Sequence, residues 1–204
     1  MSIVTTLAEL EHIYSATPTL ASLAKEVGFI SPHYRKLIES SPFAVLATMG
    51  PEGLDCSPRG DRPGFVRIQD ERTLVMPDRH GNNRIDSLRN ILRDPRVALL
   101  FLIPGSGTTF RVNGKAVISA DPDLLASFAV DGKPPCTALV ITVEAAYFQC
   151  ARAIIRSGLW DATRHVDASA IPTPGDILEA LSKSEIDGHV YDVEWPARAS
   201  KTLW

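Results

Sequence analysis

The sequence predicts a mainly β protein with flanking helices, in which a central barrel of six or seven strands lies between a helical N-terminal segment and a helical tail. Two observations predict this class. In the first forty residues, apolar side chains recur at helical spacing, at Leu7, Leu10, Ile13, Tyr14, Leu20, Leu23 and Val27. From Phe43 onward, short apolar runs alternate with turn residues, which is typical of a meander or small barrel rather than of a parallel βαβ sheet.

The first predicted elements are the N-terminal helices, the last of which spans residues 33–40, and seven strands. Ser31-Pro32 offers a cap and a favoured first residue for the helix, and Pro42 ends it. Strands are predicted over residues 43–49, 54–58, 65–68, 73–76, 97–103, 108–119 and 138–148. The run 97–103 is apolar throughout, so we expect it to be buried on both faces.

Three more helices complete the prediction. The first follows a loop at residues 77–83 and ends at Asp94-Pro95, and its apolar face consists of Ile85, Leu88, Ile91 and Leu92. The second begins at the cap Asp121-Pro122, and the third spans roughly residues 176–182. We therefore divide the chain into an N-terminal helical segment (1–41), a β-barrel (42–161) and a C-terminal helical tail packed on the barrel (162–204).

Composition excludes several classes of protein. The longest apolar runs have seven residues, whereas a membrane helix needs about 20. A net charge of −3 gives no global attraction to nucleic acid or to an anionic membrane. The N-terminus lacks the basic region of a secretory signal. The three scattered cysteines argue against a disulfide scaffold or structural zinc and indicate a reducing cytoplasm.

One segment is strongly biased toward arginine. Nine arginines and no lysine lie between Arg59 and Arg96. The planar guanidinium suits phosphate better than the point charge of lysine does, so a buried anion site is one interpretation of this segment. The alternative is a solvated face of salt bridges.

The stretch at residues 77–90 is the best candidate for the anion site. Its loop carries Arg79, Asn82 and Asn83 and leads into a helix whose first turns carry Arg84 and Ser87. Free backbone N–H groups and the positive end of the helix dipole attract a phosphate at such a place. The alternative is that Asn83 merely caps the helix.

Two further clusters add candidate residues. Ser57 and Arg59 lie at the end of a strand that we expect to neighbour the strand at 73–76, and if the two pair, Arg59 faces the same anion as Arg84. Alternatively, Arg59 and Asp61 form a surface ion pair of little consequence. After the last strand, Arg156 and Trp160 stand close in sequence, either at a ligand or in plain packing.

Several chemistries have no support in the sequence. The five histidines share no metal-ligand spacing, and no Gly-x-Ser-x-Gly elbow, dinucleotide fingerprint or P-loop occurs. Cys56 and Cys150 have no histidine beside them in sequence, so we expect buried structural thiols. A chain with anion-binding groups and little acid–base machinery suits a protein whose chemistry belongs to a bound cofactor.

At these residues the sequence resembles the pyridoxamine 5′-phosphate oxidase-like FMN-binding proteins, and in particular a bacterial subgroup of probable FMN-dependent enzymes. The resemblance is carried by SPRGD (57–61), PDRHGNNRIDSLRNI (77–91), DPRVALLFLIPG (94–105), FRVNGKA (110–116) and CARAIIRSGLW (150–160). It implies a split β-barrel with FMN bound at the interface of a homodimer.

The resemblance also implies which residues contact FMN. The phosphate would meet Ser57, Arg59, Asn82, Asn83, Arg84 and Ser87, and the isoalloxazine ring would lie along the strand carrying Val75, Met76, Pro77 and Asp78. The second subunit would contribute Thr108, Thr109, Arg111, Arg156 and Trp160. No catalytic residue and no metal ligand is identified, and Arg84→Ala is expected to weaken FMN retention strongly.

The predicted function is that of an FMN-dependent oxidoreductase that works on a small-molecule electron donor and acceptor, without a nucleic-acid or membrane partner. Pyridoxamine or pyridoxine 5′-phosphate oxidase is one alternative, although Asn83-Arg84-Ile85 stands where those oxidases have Ser-Arg-Lys, and Arg156-Ser157-Gly158 does not match their Arg-x-His motif. Also open are a non-catalytic flavin-binding or storage protein, a nucleic-acid-binding barrel, and a relative that holds deazaflavin or heme in place of FMN.

Overall fold

The central element is an open, antiparallel, seven-stranded sheet, seen in a computed structural model that describes residues 2–203. Its strand order is β2-β1-β5-β6-β7-β4-β3. The strands are β1 Phe43–Gly50, β2 Gly53–Gly60, β3 Arg67–Asp70, β4 Thr73–Asp78, β5 Arg96–Leu102, β6 Thr109–Ser119 and β7 Thr137–Gln149. The mainly β prediction is confirmed, and the sheet is a split rather than a closed barrel, because β2 and β3 remain as free edges.

Eight α-helices flank the sheet within the described residues. They are α1 Leu7–Ile13, α2 Leu20–Ala24, α3 Pro32–Glu39, α4 Asp86–Arg93, α5 Pro122–Ser127, α6 Arg152–Ser157, α7 Pro174–Leu181 and α8 Gly188–Thr202. The caps predicted at Ser31 and Asp121 are confirmed, since each side chain accepts a hydrogen bond from the third helical N–H. The helix α8 escaped prediction because it holds a proline, Pro196, in its interior.

The main core lies on one face of the sheet, and a smaller cluster consists of Val75, Phe128 and Ala138. Leu46, Leu99, Phe101, Phe110 and Ile141 are almost completely buried in the main core. The expectation that the apolar run of β5 is buried on both faces is wrong, because burial along β5 alternates and only every second residue is buried. The other face of β5 is partly exposed in the single chain, as in an antiparallel sheet with one face on the core.

The expected pairing of β2 with β4 is also wrong. β2 pairs only with β1, whereas β4 lies between β7 and β3 near the other edge of the sheet. The sheet curls so that the two strands approach each other without backbone pairing, and Arg59 Nε lies 3.9 Å from Asp78 Oδ1. The predicted proximity therefore arises from curvature and not from a strand ladder.

Helix α4 packs against β1 through a narrower face than predicted. Ile91 is buried, but Leu92 is 77% exposed. Asn90 is buried instead, and its Nδ2 donates to Thr48 Oγ1 at 3.1 Å. The inclusion of Ile85, which is 47% exposed, and of Leu92 in the apolar face was wrong. The face that meets β1 follows Ser87, Asn90 and Ile91 instead.

The terminal helices leave apolar side chains uncovered. None of the residues of α1 or α2 is buried, although α1 carries the predicted stripe. Helices α7 and α8 pack on each other, with Gly175 N donating to Asp192 Oδ1 at 2.9 Å, while Trp195 and Val193 of α8 stay more than half exposed. The division of the chain at residues 41 and 161 stays a prediction. Within residues 2–203, no helix has both the length and the apolar character needed to cross a bilayer.

Gly114→Ala is expected to destabilise the sheet by about 3 kcal/mol. Gly114 lies at the register shift between β6 and β7, and a Cβ there would come within 2.0 Å of the Thr142 carbonyl oxygen. The free energy of unfolding in urea measures the effect. Gly28→Ala is the matched control, since its Cβ would lie at an ordinary 3.4 Å from Glu144 O. Equal stability of the two variants would contradict the crowding at Gly114.

Candidate functional site

A cleft of about 770 Å³ lies between the end of β2, the end of β4 and the start of α4. Residues just before and at the start of β7 complete its wall. Eight of the predicted cofactor-binding residues line this cleft: Ser57, Arg59, Pro77, Asp78, Asn82, Asn83, Arg84 and Ser87. Val75 and Met76 are buried in the core beside it. The structure thus brings the β2 cluster and the α4 cluster to one place.

Arg59 points from β2 into the cleft and is 18% exposed. Its Nη1 donates to Ser57 Oγ at 2.7 Å and to the Pro58 carbonyl at 2.9 Å. The alternative in which Arg59 pairs with Asp61 on the surface is not what the structure has, because Asp61 pairs with Arg79, at 2.6 Å. Arg59 faces Asp78 instead.

The other two arginines of the cleft are held by their own partners. Arg79 Nε donates to Asp61 Oδ2 and its Nη1 donates to the Phe128 carbonyl at 2.8 Å. Arg84 is 74% exposed and donates to Asp86 Oδ2 at 2.8 Å. Arg79 therefore holds the loop that follows β4 in place. Of the three arginines that line the cleft, Arg59 is the one without a carboxylate at hydrogen-bond distance.

The start of α4 presents backbone donors to the cleft. Ile85 takes the N-cap position with φ 52°, and no side chain caps the helix. The alternative role of Asn83 as the cap is therefore wrong. Ser87, in the first turn, is buried and donates from Oγ to Asp55 Oδ2 at 2.7 Å. A positive φ at a β-branched residue is costly and is most often found at functional sites.

One edge of β4 is open where it borders the cleft. β3 pairs with β4 only as far as Arg67 opposite Val75, so no strand flanks Met76, Pro77 and Asp78 on that side. On the other side, β7 continues to pair, with Thr137 opposite Asp78. Main-chain groups on the open edge can therefore address the rim of a flat ligand, and the proline is tolerated there.

The cleft is electrostatically balanced rather than basic. Three arginines and three aspartates line it, together with His80. The aspartates are Asp55, Asp78 and Asp86. Burial raises the pKa of Asp78 above 3.8, and the charge of Arg59 opposes this rise. An anion that enters the cleft therefore competes with carboxylates that already face its donors.

The remaining predicted residues lie near the end of β7 that is remote from Thr137. Thr109 is paired with Gln149 at the far end of β7, twelve residues from Thr137, which is a distance of about 40 Å along an extended strand. Arg111 Nη1 donates there to Tyr147 Oη at 3.0 Å, and Trp160 Nε1 donates to the Ser106 carbonyl at 2.7 Å. Thr108, Thr109, Arg111, Arg156 and Trp160 do not line the cleft of their own chain.

Several cleft residues escaped the sequence analysis. Asp55, Cys136 and Thr137 line the cleft, and the last two come close to Asp78 only through the pairing of β7 with β4. The expectation of buried thiols is wrong, since Cys56 and Cys150 are both exposed. Cys56 alternates along β2 with the half-buried Asp55 and Ser57 and therefore lies on the outer face. Residues 2–203 hold no cluster of side chains suited to a metal ion.

Comparison with known proteins decides the family. A sequence model described as pyridoxamine 5′-phosphate oxidase matches residues 30–150, more than half of the chain. The chain belongs to the pyridoxamine 5′-phosphate oxidase family. The matched range of this family contains the sheet and the whole cleft, and it ends where β7 ends, so the helices of both termini lie outside it apart from α3.

Several solved structures resemble the chain at low identity. HupZ of Group A Streptococcus is 20% identical over 59% of this chain and 94% of its own, with a TM-score of 0.48. A protein of Clostridium acetobutylicum related to general stress protein 26 is 16% identical over 58% and 86%, with a TM-score of 0.46. General stress protein 26 of Bacillus anthracis is 16% identical over 55% and 88%, with a TM-score of 0.42. A search of curated proteins found no match.

Proposed function

We propose that the cleft binds FMN and that the protein is an FMN-dependent oxidoreductase. The observation that carries this proposal is the convergence of Arg59 and Ser57 from β2 with Ser87 and the uncapped start of α4 at one cleft. A guanidinium that is largely shielded from solvent, hydroxyl groups and free helix N–H groups are the donors that a phosphate ester needs. The volume of about 770 Å³ lies within the range of cofactor pockets.

Different residues would contact the phosphate and the ring of FMN. Arg59, Arg84, Ser57 and Ser87 would hold the phosphate, with Asn82 and Asn83 closing the loop over it. The open edge of β4 from Met76 to Asp78 would face the rim of the ring. FMN supplies two-electron transfer between an organic donor and an acceptor when bound. The protein's part is to orient the ring and to exclude water from one side of it.

A second copy of the chain would complete each site. Arg111 and Trp160 do not line the cleft of their own chain, and Arg111 stands opposite Tyr147, ten residues along β7 from Thr137. In this proposal they reach a cleft through another subunit. The exposed stripe of α1 and the partly exposed face of β5 supply apolar surface for such an interface. We therefore propose a homodimer, and we place it in the cytoplasm because all three cysteines are free thiols.

The visible absorption spectrum of the purified protein tests the cofactor, together with mass spectrometry of what heat releases. A flavin spectrum and the mass of FMN are the expected result. A colourless protein that takes up no added FMN would overturn the proposal. A deazaflavin or heme spectrum would replace FMN by that cofactor.

Reduction of the bound flavin tests whether the protein is an enzyme. Anaerobic mixing with NADH, NADPH or pyridoxamine 5′-phosphate is followed by loss of the flavin absorbance. Reduction by a nicotinamide donor supports the oxidoreductase, and reduction by pyridoxamine 5′-phosphate supports the vitamin oxidase. Bound FMN that no donor reduces indicates a flavin carrier.

A further inference from the structure

The Arg59–Asp78 pair is looser than the neighbouring pair in the same region. Arg59 Nε lies 3.9 Å from Asp78 Oδ1, whereas Arg79 Nε lies 2.6 Å from Asp61 Oδ2. The hydrogen bonds of the Arg59 guanidinium go to Ser57 and Pro58 on its own strand. Arg59 and Asp78 therefore attract each other through charge alone, and this attraction is easily redirected.

Asp78 is a carboxyl group that is partly withdrawn from solvent and has one facing cation, Arg59. Its side chain is 24% exposed, and burial raises its pKa above 3.8 while Arg59 lowers it. Removal or neutralisation of the Arg59 charge leaves only the effect of burial, which raises the pKa further. The protonation state of Asp78 thus depends on whether the charge of Arg59 faces Asp78 or is neutralised by another anion.

Thr137 supplies a partner for the neutral form of Asp78. The Thr137 hydroxyl is buried and has no hydrogen-bond partner among the described residues. Thr137 stands opposite Asp78 in the β4–β7 register, and side chains at such paired positions have Cβ atoms about 5 Å apart. A buried hydroxyl without a partner is costly, so a hydrogen bond with a protonated carboxyl would stabilise both groups.

The other charged groups around Asp78 are already engaged or lie on the rim. Arg79 bonds Asp61, Arg84 bonds Asp86, and Asp55 accepts from Ser87. His80 follows in the loop after β4, and Cys136 precedes β7. The titratable and charged groups that border the cleft are thus Asp55, Arg59, Asp78, Arg79, His80, Arg84, Asp86 and Cys136.

We propose that Asp78 and the bound anion compete for Arg59, so that an anion enters the cleft together with one proton. The anion replaces the carboxylate beside Arg59, and the Asp78 carboxylate takes a proton from solvent and hydrogen-bonds as a neutral acid with the Thr137 hydroxyl. Only a proton is transferred, and no bond between heavy atoms forms or breaks. This inference rests on the proposed function only in that an anionic group occupies the cleft.

The direction of the pH dependence follows from linkage. The pKa of Asp78 is higher with an anion at Arg59 than without one, so binding takes up a proton at any pH between the two values. In that window the anion binds more weakly as pH rises, by up to about tenfold per pH unit. Below the lower pKa and above the upper one, Asp78 contributes no dependence.

Sulfate is the probe, because the second ionisation of a phosphate ester lies near pH 6 and would obscure the effect. Sulfate binding to the full chain is measured by calorimetry between about pH 5 and pH 8, in buffers of different ionisation heat, which gives the protons taken up per sulfate. Wild-type protein is expected to take up as much as one proton more per sulfate than Asp78→Asn does. Its sulfate affinity should also fall more steeply as pH rises. Any proton uptake by other groups persists in that variant and is subtracted by the comparison.

Two variants keep the test decisive. Asp61→Asn removes a carboxyl of similar exposure, 20%, that pairs with Arg79, and it should keep the wild-type proton uptake. Thr137→Val removes the hydroxyl and should narrow the pH range between the two pKa values of Asp78. This variant provides the test if Asp78→Asn fails to fold. Wild-type protein that takes up no more protons than Asp78→Asn, or sulfate binding that Arg59→Ala leaves unchanged, would overturn the proposal.

Failure of the flavin proposal gives a different result. Protein that binds sulfate with proton uptake but never binds FMN keeps the role of Asp78 and loses the cofactor. Protein that binds FMN, but binds sulfate without extra proton uptake, keeps the cofactor and loses the role of Asp78.

Discussion

Arg59→Ala is expected to weaken FMN binding by about ten- to one-hundred-fold, because a charge-assisted hydrogen bond contributes about 1.5–3 kcal/mol. The proposed phosphate contact of Arg59 is largely shielded from solvent, since its side chain is 18% exposed. Arg84 is 74% exposed and already bonds Asp86, so Arg84→Ala should have the smaller effect of the two. This order of effects comes from the structure, whereas the sequence singled out Arg84.

Fluorescence titration of the apoprotein with FMN measures both variants. Arg59→Lys is the control that keeps the charge and removes the planar fork, and it should lie between wild type and Arg59→Ala. Loss of Arg59 also leaves Asp78 without its counter-charge, so Arg59→Ala/Asp78→Asn is the variant to use if the single one is unstable. FMN affinity within twofold of wild type for Arg59→Ala would remove this residue from the phosphate site.

Mixing two defective variants is expected to restore flavin binding if the site is shared between subunits. Arg59→Ala damages the cleft, and Arg111→Ala changes a residue that does not line the cleft of its own chain. In each heterodimer, one of the two sites carries both changes and the other carries neither. With random pairing about half of the dimers are heterodimers, so about a quarter of all sites in the mixture regain wild-type residues. The two variants are co-expressed with different tags, and the FMN content of the purified dimers is compared with that of each variant alone.

The matched control combines two changes on the same side of the site. Arg59→Ala and Ser87→Ala both damage the cleft, so their heterodimers contain no intact cleft and should show no recovery. Recovery in this control, or none with Arg111→Ala although heterodimers form, would contradict a site built from two subunits. A monomer in solution would contradict the homodimer directly.

Features that depend on neighbours in the chain were predicted better than features that depend on distant residues. The strand β1 and the caps at Ser31 and Asp121 were predicted because apolar periodicity and capping residues act within a few positions of the chain. Helix α8 was missed because Pro196 in its interior breaks the usual helical pattern. The exposed thiol of Cys56 was missed because the phase of burial along β2 depends on which face meets the cleft.

The candidate site divides in the same way. Residue types at short spacing were enough to predict Arg59 and Ser87 as candidate donors and to indicate the family, and the resemblance to that family added Ser57. The folded chain was needed to establish that β2 reaches β4 by curvature rather than by pairing, that Asp78 rather than Asp61 faces Arg59, and that Thr137 stands beside Asp78. The difference arises because alternation specifies the face on which a side chain lies, whereas the curl and register of the whole sheet specify what that face meets.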